Sequence, residues 1–215
     1  MTHPFKAPPD GYTVILGDVG CMSMAPGLYS RLPYDPLRDF APVSLVGRSP
    51  LVLTVGTQSP LQSLQDLTAA AQAAPGKLNY PSSGTGGPNH LGAELYAMQA
   101  KVKVSHIPYK GSAPSVVSLV AGETDFGFLT AVTIASQLNA GKVRALAIGS
   151  AKRIATLPDV PTLGEVGVAD TEVFAFQGIL GPKGLPANVT QRLNADLNKA
   201  LASPAVVKRM QDFGM

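Results

Sequence analysis

Between residues 63 and 149 the sequence alternates helical and strand patterns with short connections, and that alternation constrains the fold more than any other feature. Ser63 precedes apolar Leu64, Leu67 and Ala70 at helical spacing, and Pro75-Gly76 ends that helix. The pattern predicts a strand at 78–81, a helix at 88–100, a strand at 104–107 and a helix at 112–121. A strand at 125–129, a helix at 131–140 and a strand at 143–149 complete it. Strands alternating with helices of this length form βαβ units on mostly parallel sheets, so the class is α/β.

The flanks are less regular. Pro9-Asp10-Gly11 launches a β-branched run at 12–17, read as a strand. The stretch up to Pro42 reads as loop-rich, and strands at 43–46 and 51–55 are separated by a break at Pro50. Beyond Ser150 come a proline-bearing connection, an extended stretch at 172–180 and two helices split by Ser203-Pro204. We expect one discontinuous lobe from 1–47 with 172–215 and a second from 48–171.

Composition excludes several classes. With 45% hydrophobic but only 14% charged residues, the chain is not disordered by charge. No apolar run reaches the roughly 18 residues a spanning helix needs. The single Cys21 excludes an internal disulfide and a cysteine-clustered zinc site. His3, His90 and His106 form no metal-binding spacing, so neither metal nor cofactor is expected. Residues 77–153 carry eight basic and three acidic side chains, a local +5 that suits an anionic ligand. Nucleic acid fits poorly, because Trp is absent, aromatics are 6% and no basic run of five occurs. The first nine residues lack the apolar core of a secretory signal, which leaves a cytoplasmic location open.

The segment Ser82-Ser83-Gly84-Thr85-Gly86-Gly87-Pro88-Asn89-His90 follows a predicted strand and opens a predicted helix. Its glycines admit close backbone approach, the helix start supplies free N–H groups, and its hydroxyls add donors, a combination suited to a carboxylate or phosphate. The plainer reading is a strand-to-helix turn with Pro88 at the first helical position. The segment matches neither a P-loop nor a dinucleotide fingerprint. Ser82 or Ser83 with His90 and Asp125 could also supply the parts of a hydrolase, although no Gly-x-Ser-x-Gly elbow is present. Tyr109 and Lys110, at a strand end in His106-Ile107-Pro108-Tyr109-Lys110-Gly111, could line a cleft. For Lys110 we favour solvation, and for Tyr109 packing and ligand contact stand level. Thr130 and Thr133 could donate hydroxyls to the same crevice, with Thr130 alternatively a simple N-cap. Asp18, after the first strand, is a further candidate.

These residues together resemble the substrate-binding receptors of tripartite tricarboxylate transporters, the Bug receptor family. Asp10-Gly11-Tyr12-Thr13, Leu32-Pro33-Tyr34-Asp35-Pro36, Asp39-Phe40-Ala41-Pro42-Val43, Pro75-Gly76-Lys77-Leu78, the 82–90 loop, the 106–112 segment, Ala140-Gly141-Lys142-Val143-Arg144 and Leu157-Pro158-Asp159-Val160-Pro161-Thr162 follow in that family's order. The resemblance implies a type II periplasmic binding protein fold of two lobes, a small carboxylate ligand, a membrane permease as partner, periplasmic location and no reaction. It implies the 83–89 loop (Ser83, Thr85, Gly86, Asn89) and Thr130 to Thr133 on one side of the ligand and the loop around Asp18 to Gly20 on the other; His90 and Tyr109 join the candidate set from their own positions. Measured against the family pattern, the chain starts beyond the family's first strand and ligand loop and stops slightly short, leaving the first lobe incomplete. Leu129 stands where relatives commonly carry an aspartate. From this we also expect three alternatives: a repurposed cytoplasmic accessory protein, a hydrolase, or a non-binding homo-oligomeric fragment covering the exposed lobe.

Overall fold

The computed structural model describes residues 6–168 and 172–212. They fall into two compact units, one from residues 6–48 with Phe176–Asp212 and one from Ser49–Ala175. The boundary between Arg48 and Ser49 falls inside a single long strand, β2 (Phe40–Gly56).

In the Ser49–Ala175 unit the expected alternation is realised. Its elements are α2 (Leu64–Ala73), β3 (Asn79–Ser82), α3 (Pro88–Ala100), β4 (Ser105–Pro108), α4 (Ser112–Ala121), β5 (Gly127–Thr130), α5 (Ala131–Asn139) and β6 (Val143–Ile148). Ser63 Oγ accepts the Asp66 N–H at 3.1 Å and the Asp66 carboxylate accepts the Gln62 N–H at 3.0 Å, so α2 starts on a reciprocal cap. Strands β3 and β4 pair in parallel, with Tyr80 opposite His106. Strands β5 and β6 each run antiparallel to β2, and therefore run in the same direction as each other. The strand that opposes the βαβ direction is β2 itself.

Burial follows the strand period of two. Leu51, Leu53 and Val55 of β2 face one core with Tyr80, Tyr96, Phe126 and Phe128. Val52 faces the second core with Leu119, Leu129 and Ile134. Helix α3 lies close on the first core: a Cβ on Gly92 would stand 3.0 Å from Leu51 Cδ1 and 3.2 Å from Phe128 Cβ.

The other unit holds β1 (Ile15–Asp18), a π-helical turn at Gly20–Met24, α1 (Ala25–Leu28), β7 (Phe174–Pro182) from Phe176 onward, α6 (Ala187–Leu201) and α7 (Pro204–Asp212). Strand β1 runs antiparallel to β7, from Ile15 opposite Leu180 to Asp18 opposite Gln177. The Asn194 side chain on α6 donates to the Val43 carbonyl at 2.7 Å. An apolar groove of about 570 Å³ lies among Gly17, Val43, Leu45, Phe176, Leu180 and Asn194.

Two expectations are corrected. Pro50 does not break β2, because its fixed φ fits extended chain and the ladders to β5 and β6 begin only at Leu51 and Val52. The loop-rich stretch before Pro42 also holds the π-helical turn and α1, where Pro26 takes an early helical position that needs no N–H. The first strand starts at Ile15, and Tyr12 lies 95% exposed before it.

Candidate functional site

Strand β3 ends at Ser82, and α3 begins at Pro88 after five intervening residues. Gly84 (φ 142°) and Gly86 (φ 79°) take backbone conformations that L side chains avoid, and the Gly87 N–H closes the turn on the Gly84 carbonyl at 3.2 Å. The neighbouring junctions are tied to this loop. The Tyr109 N–H donates to the Ser82 carbonyl at 2.9 Å, and the Gly111 N–H to the Ser83 carbonyl at 3.1 Å. The Asn89 side-chain amide donates to the Phe128 carbonyl at 2.6 Å, two residues before Thr130. The starts of α3, α4 and α5 therefore gather at one edge of this unit, where β3, β4 and β5 end. Each presents first-turn N–H groups and the positive end of a helix dipole.

The expected site residues divide by what they do there. Ser83 and Asn89 brace the loop: the Ser83 hydroxyl donates to Asn89 Oδ1 at 2.8 Å, and Asn89 is buried. Thr85 stands exposed at the apex, Gly86 is buried beside it, and Tyr109 is half-buried at the next loop while Lys110 is exposed. Thr130 caps α5, its Oγ1 accepting the Thr133 N–H at 3.4 Å and lying 2.6 Å from the Thr133 hydroxyl. Leu129 points into the second core, fully buried. Asp18 belongs to the other unit, where its carboxylate accepts the Cys21 N–H at 2.9 Å.

The hydrolase constellation does not assemble. Ser82 pairs with His106 Nε2 at 2.6 Å, not with His90. Ser83 is turned to Asn89, and Asp125 accepts the Asn79 N–H at 2.7 Å. Ser82 has no exposed surface, and its hydroxyl donates to the Gly84 carbonyl at 3.0 Å. A nucleophile needs a free approach, and Ser82, buried and hydrogen-bonded to Gly84, offers none. His90 instead accepts the Gly86 N–H on Nδ1 at 3.1 Å, which shapes the loop.

His106 is the site group that the pattern alone missed. Its ring stacks on His90 at 4.1 Å and on Tyr80 at 5.1 Å, and Tyr80 donates its hydroxyl to Glu94. Burial pushes the His106 pKa down, the charge of His90 adds to that, and Glu94 opposes it. Desolvation, with the Glu94 bond, likewise pushes the Tyr80 phenol up. An imidazole stack thus lies under the loop, one ring holding Ser82 and the other Gly86. The signal for it was the parallel pairing of β3 with β4, which sets Tyr80 opposite His106.

Compared with known proteins, residues 2–215 match the model of the tripartite tricarboxylate transporter family receptor. The chain belongs to that receptor family. It is 40% identical over 211 residues to the UPF0065 protein in the tcbD-tcbE intergenic region of Pseudomonas sp. strain P51, covering 98% of this chain and 62% of that protein. Among solved structures, Rpa4515 of R. palustris with adipate superposes with a TM-score of 0.92 at 33% identity, over 98% of this chain and 71% of that one. MatC from Rhodopseudomonas palustris with bound malate gives 0.89 at 32% identity, over 98% and 72%. The receptor fold is therefore that of periplasmic binding proteins, α/β in class. The chain spans about three fifths of the length of the Pseudomonas relative.

Proposed function

We propose that this chain is a solute-binding receptor that captures a small organic dicarboxylate and hands it to the membrane permease of a tripartite tricarboxylate transporter, in the periplasm. The carrying observation is the edge where α3, α4 and α5 start together, with Thr85 exposed at its apex and Ser83, Asn89, Thr130 and Thr133 behind it. Converging helix N-termini favour a carboxylate without any fixed cation. The adipate and malate held by the two solved relatives support a dicarboxylate of four to six carbons. Capture without turnover fits a serine pair whose hydroxyls are committed to His106, Gly84 and Asn89.

Thermal denaturation with adipate, malate and citrate tests this reading. A ligand at 100 times its Kd stabilises the native state by about 2.7 kcal/mol, so one of these acids raises the melting temperature by several degrees. Thr85→Ala, at an exposed apex, leaves the ligand-free melting temperature unchanged and lowers affinity roughly five- to tenfold, the effect of one lost hydrogen bond to a charged group. An unchanged melting temperature with every acid, for a protein that melts cooperatively, counts against the proposal.

A further inference from the structure

Among the described residues, buried hydroxyls are satisfied with one exception. Thr54 donates to Val52, Ser115 to Ser112 and Ser118 to Ser115, all over short distances. Ser49, only 3% exposed, carries the one buried side-chain polar atom among the described residues that has no partner. An orphaned buried hydroxyl is uncommon and calls for a physical reason.

Its place supplies one. Leu51 of β2 lies opposite Thr130, and the ladder is antiparallel. Ser49, two residues earlier, therefore extends past the end of β5, level with the first turn of α5. Strand β6 has also ended there, since the Gly149 N–H already donates to the Leu51 carbonyl at 2.8 Å. Side chains two apart on a strand share a face, so Ser49 lies on the face of Leu51, which packs toward Gly92 of α3. One turn before Gly92 stands Asn89, reaching the Phe128 carbonyl. Ser49 thus completes the row Ser49, Leu51, Leu53 at the edge where Asn89 and Thr130 stand.

We propose that Ser49 is a specificity-determining residue of this site, its hydroxyl donating to a carboxylate oxygen of a ligand seated against the first turns of α3 and α5. The inference rests on the receptor reading above and adds to it a donor from β2. With ligand bound, the orphaned hydroxyl gains its partner at the cost of no existing hydrogen bond.

The test compares the protein with Ser49→Ala and Ser49→Cys by calorimetric titration with adipate and malate, alongside ligand-free melting temperatures. Removing an unpaired buried hydroxyl leaves the ligand-free protein as stable or more stable, while the loss of one charge-assisted hydrogen bond weakens binding roughly tenfold. Cysteine keeps the volume but donates weakly, so it also loses affinity. Unchanged affinity in both variants, with binding intact in the unsubstituted chain, overturns the role of Ser49 and leaves the receptor reading standing. Affinity lost only together with ligand-free stability assigns Ser49 to structure and overturns it equally. Absence of binding by the unsubstituted chain defeats the receptor reading, and this inference with it.

Discussion

His106 shows how one side chain couples the loop to pH. Its folded pKa is held below the ordinary value of 6.5 by burial first and by His90 second. As pH falls below about 6.5, the unfolded chain takes up a proton on this histidine before the folded one does, so the unfolded state gains relative stability. The contribution is fully present above that pH and is lost progressively below it, until the folded histidine also protonates. Melting curves between pH 7.5 and 5 therefore fall more steeply for the native sequence than for His106→Gln. Parallel curves would contradict this role for His106. At this scale the sequence was partly legible. The strand-loop-helix segment and its brace residues could be read from glycine, hydroxyl and amide positions in a row. The Ser82–His106 bond could not, because its partners are 24 residues apart and meet only through the register of β3 with β4. Ser49 was illegible for a related reason: nothing local separates a satisfied buried serine from an orphaned one.

Among elements, the helices of the Ser49–Ala175 unit carry their own boundary signals. Ser63 begins α2 and Pro88 begins α3, while Lys101 (φ 53°) and Gly122 (φ 74°) end α3 and α4 in left-handed conformations. Where such signals are strong, sequence and structure coincide, as for α3 over Pro88–Ala100. Long-range pairing decides the rest. The π-helical turn at Gly20–Met24 has few local cues, and Asp18 anchors it through the Cys21 N–H. Strand β2 passes through Pro50 because its ladders to β5 and β6 begin only beyond that residue. The cap on α2 gives a direct check: Ser63→Ala removes the Asp66 N–H acceptor and costs about 1 kcal/mol. In urea denaturation the midpoint falls while the slope stays the same. A midpoint within error of the native value would mean that water replaces the cap.

At the scale of the whole molecule, the two units differ in how much each buries. Leu51, Leu53, Phe126 and Phe128 are fully buried in one, whereas α6 and α7 bury no residue in the other. Stability measured by native-state hydrogen exchange follows buried apolar contacts. The amides of Leu51, Leu53 and Phe128 therefore exchange most slowly, and those of α6 orders of magnitude faster. Equal protection in α6 would contradict this distribution. The candidate site sits on the better-packed unit, where rigid strand ends hold the loop that carries Thr85. The central claim is that this edge binds a dicarboxylate, and the most direct measurement is calorimetric titration of the purified 215-residue chain with adipate and with malate. The account predicts saturable heat at one site per chain, weakened in Thr85→Ala and Ser49→Ala. No heat from either acid, with the chain folded by hydrogen exchange, would contradict it.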